Sequence, residues 1–266
     1  MRIPITMCHG IRTKHEFPLS AELFDQLISI ASEMGFQSIG YDELAGWRAG
    51  TLSLPDRPIM FDFDHPVKSM RYEVKETLDK YGFNGNLFMY TRPYDDAYTR
   101  MLPWEGVYEH MTWDEIGELK EAGWHIAAHT VSHPNLSDLS VEDPTGDVLR
   151  TELDRCNETM RQNLGFLPND FAFTGTSWSS LAEKEVKKRY RFGRLWIISS
   201  QYMVDGSETR YADLVGSTKP DEDDGGPPEE TRYITEDSDP YRLPSMEIQA
   251  LLHTPAAFRS YLEGAL

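Results

Sequence analysis

Two short stretches of the sequence hold side chains whose types and spacing could bind a metal ion and activate water. Residues 59–66 form an apolar run that ends in two acids one residue apart, Asp62 and Asp64. Successive strand side chains point to opposite faces, so the two carboxylates should share a face at the strand's carboxyl end. In the second stretch, His129 and His133 are four residues apart, a spacing that on one helical turn directs both imidazoles to one point.

These residue types together predict a metal-dependent hydrolase. One carboxylate and two imidazoles with an open position suit Zn²⁺ or a similar divalent ion that holds a water. The other carboxylate is then available to accept a proton from that water. Either motif alone is ambiguous, because such pairs are common on loops and surfaces. Both follow predicted strands of a β/α chain, where such folds place their catalytic groups.

At these residues the chain resembles the polysaccharide deacetylase family, carbohydrate esterase family 4. That family has a strand-end acid pair, an H-[ST]-x-x-H-P motif and a preceding segment that here spans residues 111–124, and the resemblance extends over residues 3–200. It implies Asp62 as the catalytic base and Asp64, His129 and His133 as ligands of one divalent metal. Zinc is the first expectation, with Ni²⁺, Co²⁺ and Fe²⁺ as alternatives.

The general acid has two candidates, and we predict the N-terminal one. His253 follows two leucines near the C-terminus, as in the commoner family arrangement, but it lies beyond the predicted last strand. His9 ends a predicted strand at residues 5–9, with the expected helix and strand after it. This order resembles the circularly permuted branch of the family, which includes biofilm poly-N-acetylglucosamine deacetylases. Strand alternation would direct Cys8 away from the site.

Several further residues are candidates for the site. His125 lies four residues before His129 on the same strand face, so a three-histidine site is conceivable, although we interpret His125 as structural. Many family members have an arginine at the position of Ala172, so this chain differs from them at that position. The candidate substrate contacts are Trp104 in the aromatic connection 91–109, and Thr174, Gly175 and Trp178 after the strand predicted near residue 171.

The pattern of elements predicts an α/β fold. Apolar periodicity and glycine or proline breaks predict seven or eight strands that alternate with helices. Helices are predicted from Ser20 to Gly35, from Pro66 to Gly82, and from the Thr112–Glu115 capping box to Gly123. Periodicity alone does not distinguish a barrel from an open sheet. The resemblance implies the irregular (β/α)7–8 barrel of the polysaccharide deacetylase type, as a single domain over residues 1–266.

Composition limits the classes of partner. The formal charge of −18 disfavours nucleic acid and anionic membranes, and no run of 18 apolar residues is present. The two cysteines, Cys8 and Cys156, are expected as free, buried thiols. Without an apolar leader segment we expect a cytoplasmic protein, with a secreted mature form as the alternative. Residues 218–240 carry nine acids against Lys219 and Arg232 and predict a solvated, mobile loop.

The leading functional hypothesis is hydrolysis of a C–N bond, namely N-deacetylation of an acetylated amino sugar or oligosaccharide. The D-x-D form of the acid pair departs from the commoner D-D-G and occurs in a subset that includes enzymes of small amides. A hydrolase of a small linear or cyclic amide or imide is therefore the second hypothesis. A catalytically silent carbohydrate-binding module is the alternative of another class, and the complete acid and imidazole set argues against it.

Overall fold

The computed structural model describes residues 1–12, 18–95, 102 and 108–266. The strands in this part of the chain are β1 (Ile3–Cys8), β2 (Gln37–Ser38), β3 (Pro58–Asp64), β4 (Asn86–Met89), β5 (His125–Ala128), β6 (Asp170–Ala172), β7 (Ser177–Trp178), β8 (Phe192–Ile197), β9 (Gln201–Val204), β10 (Ser207–Arg210), β11 (Tyr233–Ile234) and β12 (Leu243–Glu247). The helices are α1 (Ala21–Glu33), α2 (Tyr41–Arg48), α3 (Glu73–Lys80), α4 (Trp113–Glu121), α5 (Leu136–Glu142), α6 (Asp147–Leu164), α7 (Ser180–Val186), α8 (Tyr211–Leu214) and α9 (Pro255–Glu263). Short 3₁₀ turns occupy Lys68–Met70, Arg92–Tyr94 and Glu229–Thr231.

Seven parallel strands close into a barrel in the order β1, β12, β8, β6, β5, β4 and β3, because β3 also pairs with β1. The closing register places Ile5 opposite Met60 and Cys8 opposite Phe63. Outside the ring, β2 extends the sheet beside β3, and β11 runs antiparallel to β1. Strands β7, β9 and β10 form a separate small sheet. The predicted (β/α) barrel is confirmed, and the β1–β3 pairing excludes the open sheet.

Alternation along β3 explains why its two acids enter the barrel. Ile59, Phe61 and Phe63 pack in the apolar layer between the strands and the helices. Met60 belongs instead to the second apolar cluster, with Ile5 and Phe88 from neighbouring barrel strands. Asp62 and Asp64 share the parity of Met60, so their side chains lie on the same inward face.

Most predicted helix ends agree with the structure. The Ser20 hydroxyl accepts a hydrogen bond from the Leu23 amide at the start of α1, and the capping box of Thr112 and Glu115 opens α4. Gly35 follows the end of α1 with φ of 76°, a conformation that glycine adopts at low cost. The helix predicted after Pro66 begins later, at Glu73, because Val67 instead forms an isolated antiparallel bridge with His110.

The acidic segment 218–240, predicted as a solvated, mobile loop, contains ion pairs and a short strand. Arg232 makes a bidentate ion pair with Asp224, and Arg210 pairs with Asp221. The segment also contains β11, which pairs with the barrel strand β1. Its acids are therefore partly neutralised by local cations and tied to the barrel edge.

Both cysteines are free and buried, as predicted, and Cys156 lies on the buried face of α6. Among the described residues, no helix has the length and apolarity needed to cross a membrane.

Candidate metal centre

Three histidines meet beyond the carboxyl ends of the barrel strands β3 and β5. The ring nitrogens that His65, His129 and His133 could offer to a metal all lie within 4.8 Å of one another, and within the described residues these three form such a group. His129 and His133 were predicted for this site, whereas His65 was not. Imidazoles that converge in this way form a ligand set suited to zinc and similar divalent ions.

Loop backbone conformations, not a helical turn, bring the three rings together. His65 is the first residue after β3 and has φ of 71°. His129 follows β5 directly, and Thr130 and His133 on the same loop have φ of 66° and 54°. The predicted single helical turn over His129 and His133 is therefore wrong. Positive φ is unfavourable for residues other than glycine, so the surrounding structure must hold this loop in place.

Glu152 of α6 holds the loop between His129 and His133. It is 3% exposed, and its carboxylate accepts hydrogen bonds from the backbone amides of Val131 at 2.9 Å and Ser132 at 2.8 Å. The Ser132 hydroxyl donates to it at 2.6 Å. Thr174 supports the same loop, because its hydroxyl donates to the carbonyl of Pro134. Thr174, a predicted substrate contact, therefore has a supporting role in this loop.

The histidines are held in the neutral form that metal binding requires. Nδ1 of His129 donates to the Ala172 carbonyl at 2.9 Å, which leaves the lone pair on Nε2. This Nε2 is buried and makes no hydrogen bond to any described residue. Burial, followed by the charge of Arg194, lowers the pKa of His129 to about 3. Burial, followed by neighbouring histidines, also lowers the pKa of His65 and His133. The residues therefore fit a divalent metal.

Asp64 and Asp62 share one guanidinium, that of Arg194 on β8. Arg194 Nη2 donates to Oδ1 of Asp64, and its Nε lies 3.3 Å from Oδ2 of Asp62. The other oxygen of Asp64 lies 3.8 Å from Nε2 of His129, at the edge of the histidine cluster. Both carboxylates lie on the inward face, as strand alternation predicts.

Asp62 lies deeper among barrel side chains. Its Oδ2 accepts a hydrogen bond from the Tyr41 hydroxyl at 2.7 Å, and its Oδ1 accepts one from Asn86 at 2.9 Å. Burial raises its pKa to about 6, opposed by the charge of Arg194. Both oxygens of Asp62 are therefore engaged by protein donors, whereas Asp64 has an oxygen beside the cluster.

Sequence reasoning did not identify Arg194. It is 0% exposed and lies with its guanidinium 4.7 Å from the ring centroid of Phe88. Its neighbours in sequence, on β8, contain no motif that points to a site. The available signal was the expectation of an arginine near Ala172, since Arg194 pairs with Ala172 across the two strands.

His9 lies at the histidine cluster, and His253 does not. The His9 ring centroid is 4.8 Å from that of His65 in an edge-to-face arrangement. Its Nδ1 is 3.6 Å from Oε2 of Glu247, the last residue of β12. That oxygen also accepts a hydrogen bond from Trp196 at 2.7 Å, and burial raises the pKa of Glu247 to about 7. His253 is exposed, and its Nδ1 bonds the carbonyl of Ala250 at 2.7 Å.

The other predicted candidates occupy different places. His125 begins β5, stacks on Tyr41 and has its Nε2 2.9 Å from Asp170, so it belongs to the opposite end of the strand from His129. Its interpretation as structural agrees with this position.

Trp178 is 5% exposed, and its indole donates a hydrogen bond to Glu183 at 3.0 Å. The guanidinium of Arg242 lies over its ring. These buried contacts do not favour a role in binding substrate. Gly175 has φ of 61° and open space where a Cβ would lie. Trp104 lies outside the described residues.

Comparisons with known proteins agree with the barrel fold. A family model described as polysaccharide deacetylase matches residues 52–190. Among solved structures, the chain is similar to the Streptococcus pyogenes deacetylase PplD in complex with acetate, at 15% identity and a TM-score of 0.69 over 98% of each chain. It is also similar to IcaB from Ammonifex degensii, at 14% identity and a TM-score of 0.70, over 98% of this chain and 97% of that one.

A third similar structure is the de-N-acetylase from Aggregatibacter actinomycetemcomitans, at 14% identity and a TM-score of 0.63, over 74% of this chain and 88% of that one. At these identities the likeness concerns the fold. No curated protein sequence matches the chain.

Proposed function

The chain belongs to the polysaccharide deacetylase family, and on that premise we propose that it is a metal-dependent hydrolase that removes the N-acetyl group from an acetylated amino sugar or oligosaccharide. The observation that carries the proposal is the convergence of His65, His129 and His133, with Asp64 at its edge. One of the structures with a similar fold is named a de-N-acetylase, which supports an amide bond as the target.

We propose that the three histidines, and not Asp64 with two histidines, hold the metal, with zinc as the first candidate. The support is that their nitrogens lie within 4.8 Å of one another and that His129 presents a buried Nε2 without a hydrogen bond to any described residue. Three imidazoles leave an open position for water or substrate. When bound, the metal supplies Lewis-acid polarisation of the amide carbonyl and lowers the pKa of water toward about 7.

Asp64 is then the candidate general base. Arg194 holds one of its oxygens, and the second lies 3.8 Å from His129 Nε2, at the edge of the cluster, where it can accept a proton from the attacking water. Asp62, the base indicated by the sequence resemblance, has both oxygens engaged by Tyr41 and Asn86. Geometry therefore favours Asp64 as base and Asp62 as a support for Arg194.

His9 is the candidate general acid, because it lies at the cluster near a carboxylate. A protonated His9 carries a positive charge that the Glu247 carboxylate, 3.6 Å from its Nδ1, would stabilise. The ring can then pass a proton to the leaving amine as the amide bond breaks. Glu247 in turn is fixed by the indole of Trp196.

The test combines metal analysis with a substrate screen on the purified full chain. We expect about one divalent metal per chain, and metal-dependent release of acetate from N-acetylated chito-oligomers. Small linear and cyclic amides and imides form the second arm of the screen. Turnover in that arm alone would show that the substrate is a small amide and not an acetylated sugar. Saccharide binding with no hydrolysis in any arm would favour a binding module and contradict the proposal.

A further inference from the structure

Arg12 is a buried cation without a carboxylate partner among the described residues. The residue is 7% exposed, and no described carboxylate lies within ion-pair distance of it. Its Nε donates to the carbonyl of His9 at 2.9 Å, while its Nη2 is buried and makes no hydrogen bond to any described residue. Burial lowers the pKa of the guanidinium, but an arginine remains charged at physiological pH.

The position of Arg12 places this cation on the flank of the histidine cluster. The residue lies three positions after His9, whose ring contacts that of His65. Its guanidinium lies 4.6 Å from the ring centroid of Tyr108, and the Tyr108 hydroxyl is 3.2 Å from Nδ1 of His65. Arg12 is thus one side chain away from the candidate metal centre on two sides.

The contacts that the described part of the chain supplies do not satisfy the guanidinium of Arg12. A cation–π contact and one neutral carbonyl offset only part of the free energy needed to remove a guanidinium from water. Glu247 raises the pKa of Arg12 through space, but it lies beyond ion-pair distance and is bonded to Trp196. The chain as a whole carries a charge of −18, so a local cation is what an anion needs to approach this surface.

We propose that Arg12 forms a subsite that binds a carboxylate beside the candidate metal centre. Guanidinium donors match carboxylate oxygens in geometry and charge. The carboxylate has two possible sources, an acidic sugar unit of the substrate or the acetate that deacetylation releases. The choice of sources rests on the proposed function, whereas binding of a carboxylate at Arg12 does not require turnover.

The experiment measures binding to the metal-loaded full chain by titration calorimetry, with two matched pairs of probes. Glucuronate is compared with glucuronamide, and acetate with acetamide, so that each pair differs in one charge. In the wild type we expect at least one carboxylate to bind about tenfold more tightly than its amide, as charge-assisted hydrogen bonds require. A preference for glucuronate identifies the substrate as the source, and a preference for acetate alone identifies the product.

Variants separate Arg12 from the metal as the anion-binding group. Arg12→Gln should abolish the preference for the carboxylate, and Arg12→Lys should retain part of it. Arg48→Gln is the matched control, because Arg48 also donates to a backbone carbonyl, that of Ser238, and has a buried nitrogen without a partner among the described residues. It should leave the preference unchanged.

Two results would overturn the subsite: no carboxylate preference in the wild type, or a preference that survives in Arg12→Gln because the metal binds the anion. If Arg12→Gln does not fold, Arg12→Lys decides the question, because complete loss of the carboxylate preference in a variant that keeps the positive charge would contradict a role for charge at this position. Acetate release is measured in parallel. Loss of the proposed function with retained, Arg12-dependent carboxylate binding would leave the subsite standing.

Discussion

Arg194 of β8 lies directly opposite Ala172 of β6 in the parallel pairing of the two strands. The sequence resemblance indicates an arginine at the position of Ala172 in many members of the family. Here the guanidinium comes from the neighbouring strand, and it reaches both Asp62 and Asp64. The chain therefore retains a positive charge beside its strand-end acids although the residue at the expected position is alanine.

The roles of His65 and Asp64 can be separated by metal content. His65→Ala should lose most of the bound metal, because two imidazoles are too few protein ligands for zinc. Asp64→Asn should keep the metal and lose turnover by about 10²-fold or more, since an amide cannot accept the proton. Metal analysis and acetate-release kinetics on both variants measure this. If Asp64→Asn loses its metal as His129→Ala does, Asp64 is a ligand, as the sequence indicates.

Asp62→Asn should mainly affect stability. The amide nitrogen of an asparagine would meet one of the donors that now serve the carboxylate, from Tyr41 or Asn86. We expect a loss of about 1–3 kcal/mol in the free energy of unfolding, measured by urea denaturation. Metal content should remain at the wild-type level. A drop in kcat of two orders of magnitude at unchanged stability would instead identify Asp62 as the base.

Arg194→Met should destabilise the fold in a pH-dependent way. Removing a buried cation leaves two carboxylates without their partner, which costs about 3–5 kcal/mol. The pKa of Asp62 is raised to about 6 by burial, and Arg194 opposes that rise, so its loss should raise the pKa further. At pH values between the pKa of Asp62 in the unfolded chain and its pKa in the folded variant, Asp62 is protonated in the folded variant and ionised in the unfolded chain. Stability falls as pH rises through this window.

The destabilisation relative to wild type should therefore be larger near about pH 8 than near about pH 5, as measured by urea unfolding at both values. Arg191→Met is the control, because Arg191 directly precedes β8 but pairs with Asp170 and Asp42 and is partly exposed. An equal loss at both pH values in Arg194→Met would show that the charge of Arg194 does not set the Asp62 pKa.

Glu152→Ala should loosen the loop that carries His133. Two backbone amides and one hydroxyl lose their acceptor, and the positive φ of Thr130 and His133 is then less well supported. We expect metal affinity to fall by about 10–100-fold, the usual effect of losing a group that orients ligands. Competition with a chelator measures it. Glu158→Ala, on the exposed face of the same helix, should bind metal as the wild type does.

The general acid can be assigned by comparing two histidines. His9→Asn should keep the metal and lose most of kcat, whereas His253→Asn should change little, because His253 is exposed and bonds the nearby carbonyl of Ala250. Glu247→Gln should lower kcat about tenfold with metal retained, since the charge that stabilises protonated His9 is gone. The reverse pattern for the two histidines would identify His253 as the general acid, as in the commoner family arrangement.

Local features of the fold were predictable because they depend on neighbours in sequence. Ser20, Gly35 and the Thr112–Glu115 capping box act within one turn of their helices, and the structure confirms them. The shared face of Asp62 and Asp64 follows from strand alternation alone. The family resemblance supplied what periodicity did not, namely closure of the sheet into a barrel.

The missed residues depend on geometry that begins where a strand ends. His65 follows β3 and adopts positive φ, so alternation along the strand does not describe its direction. Arg194 acts through its register with β6, and Glu152 reaches a loop that precedes it by 20 residues. Glu152 stands within the apolar stripe of α6 beside Leu149 and Leu153, and an acid in that stripe was the one available signal.

Closure of the barrel by β1 affects the order in which metal binding and proton transfer become possible during folding. The histidines of the cluster come from residues 65–133, whereas the contact of His9 with Glu247 depends on the pairing of Thr6 with Met246, 240 positions away. Contacts of such sequence separation form slowly, because a long loop must be closed first. A partly folded chain could thus capture metal before it can transfer a proton, and hydrolysis would begin only at the final folding step.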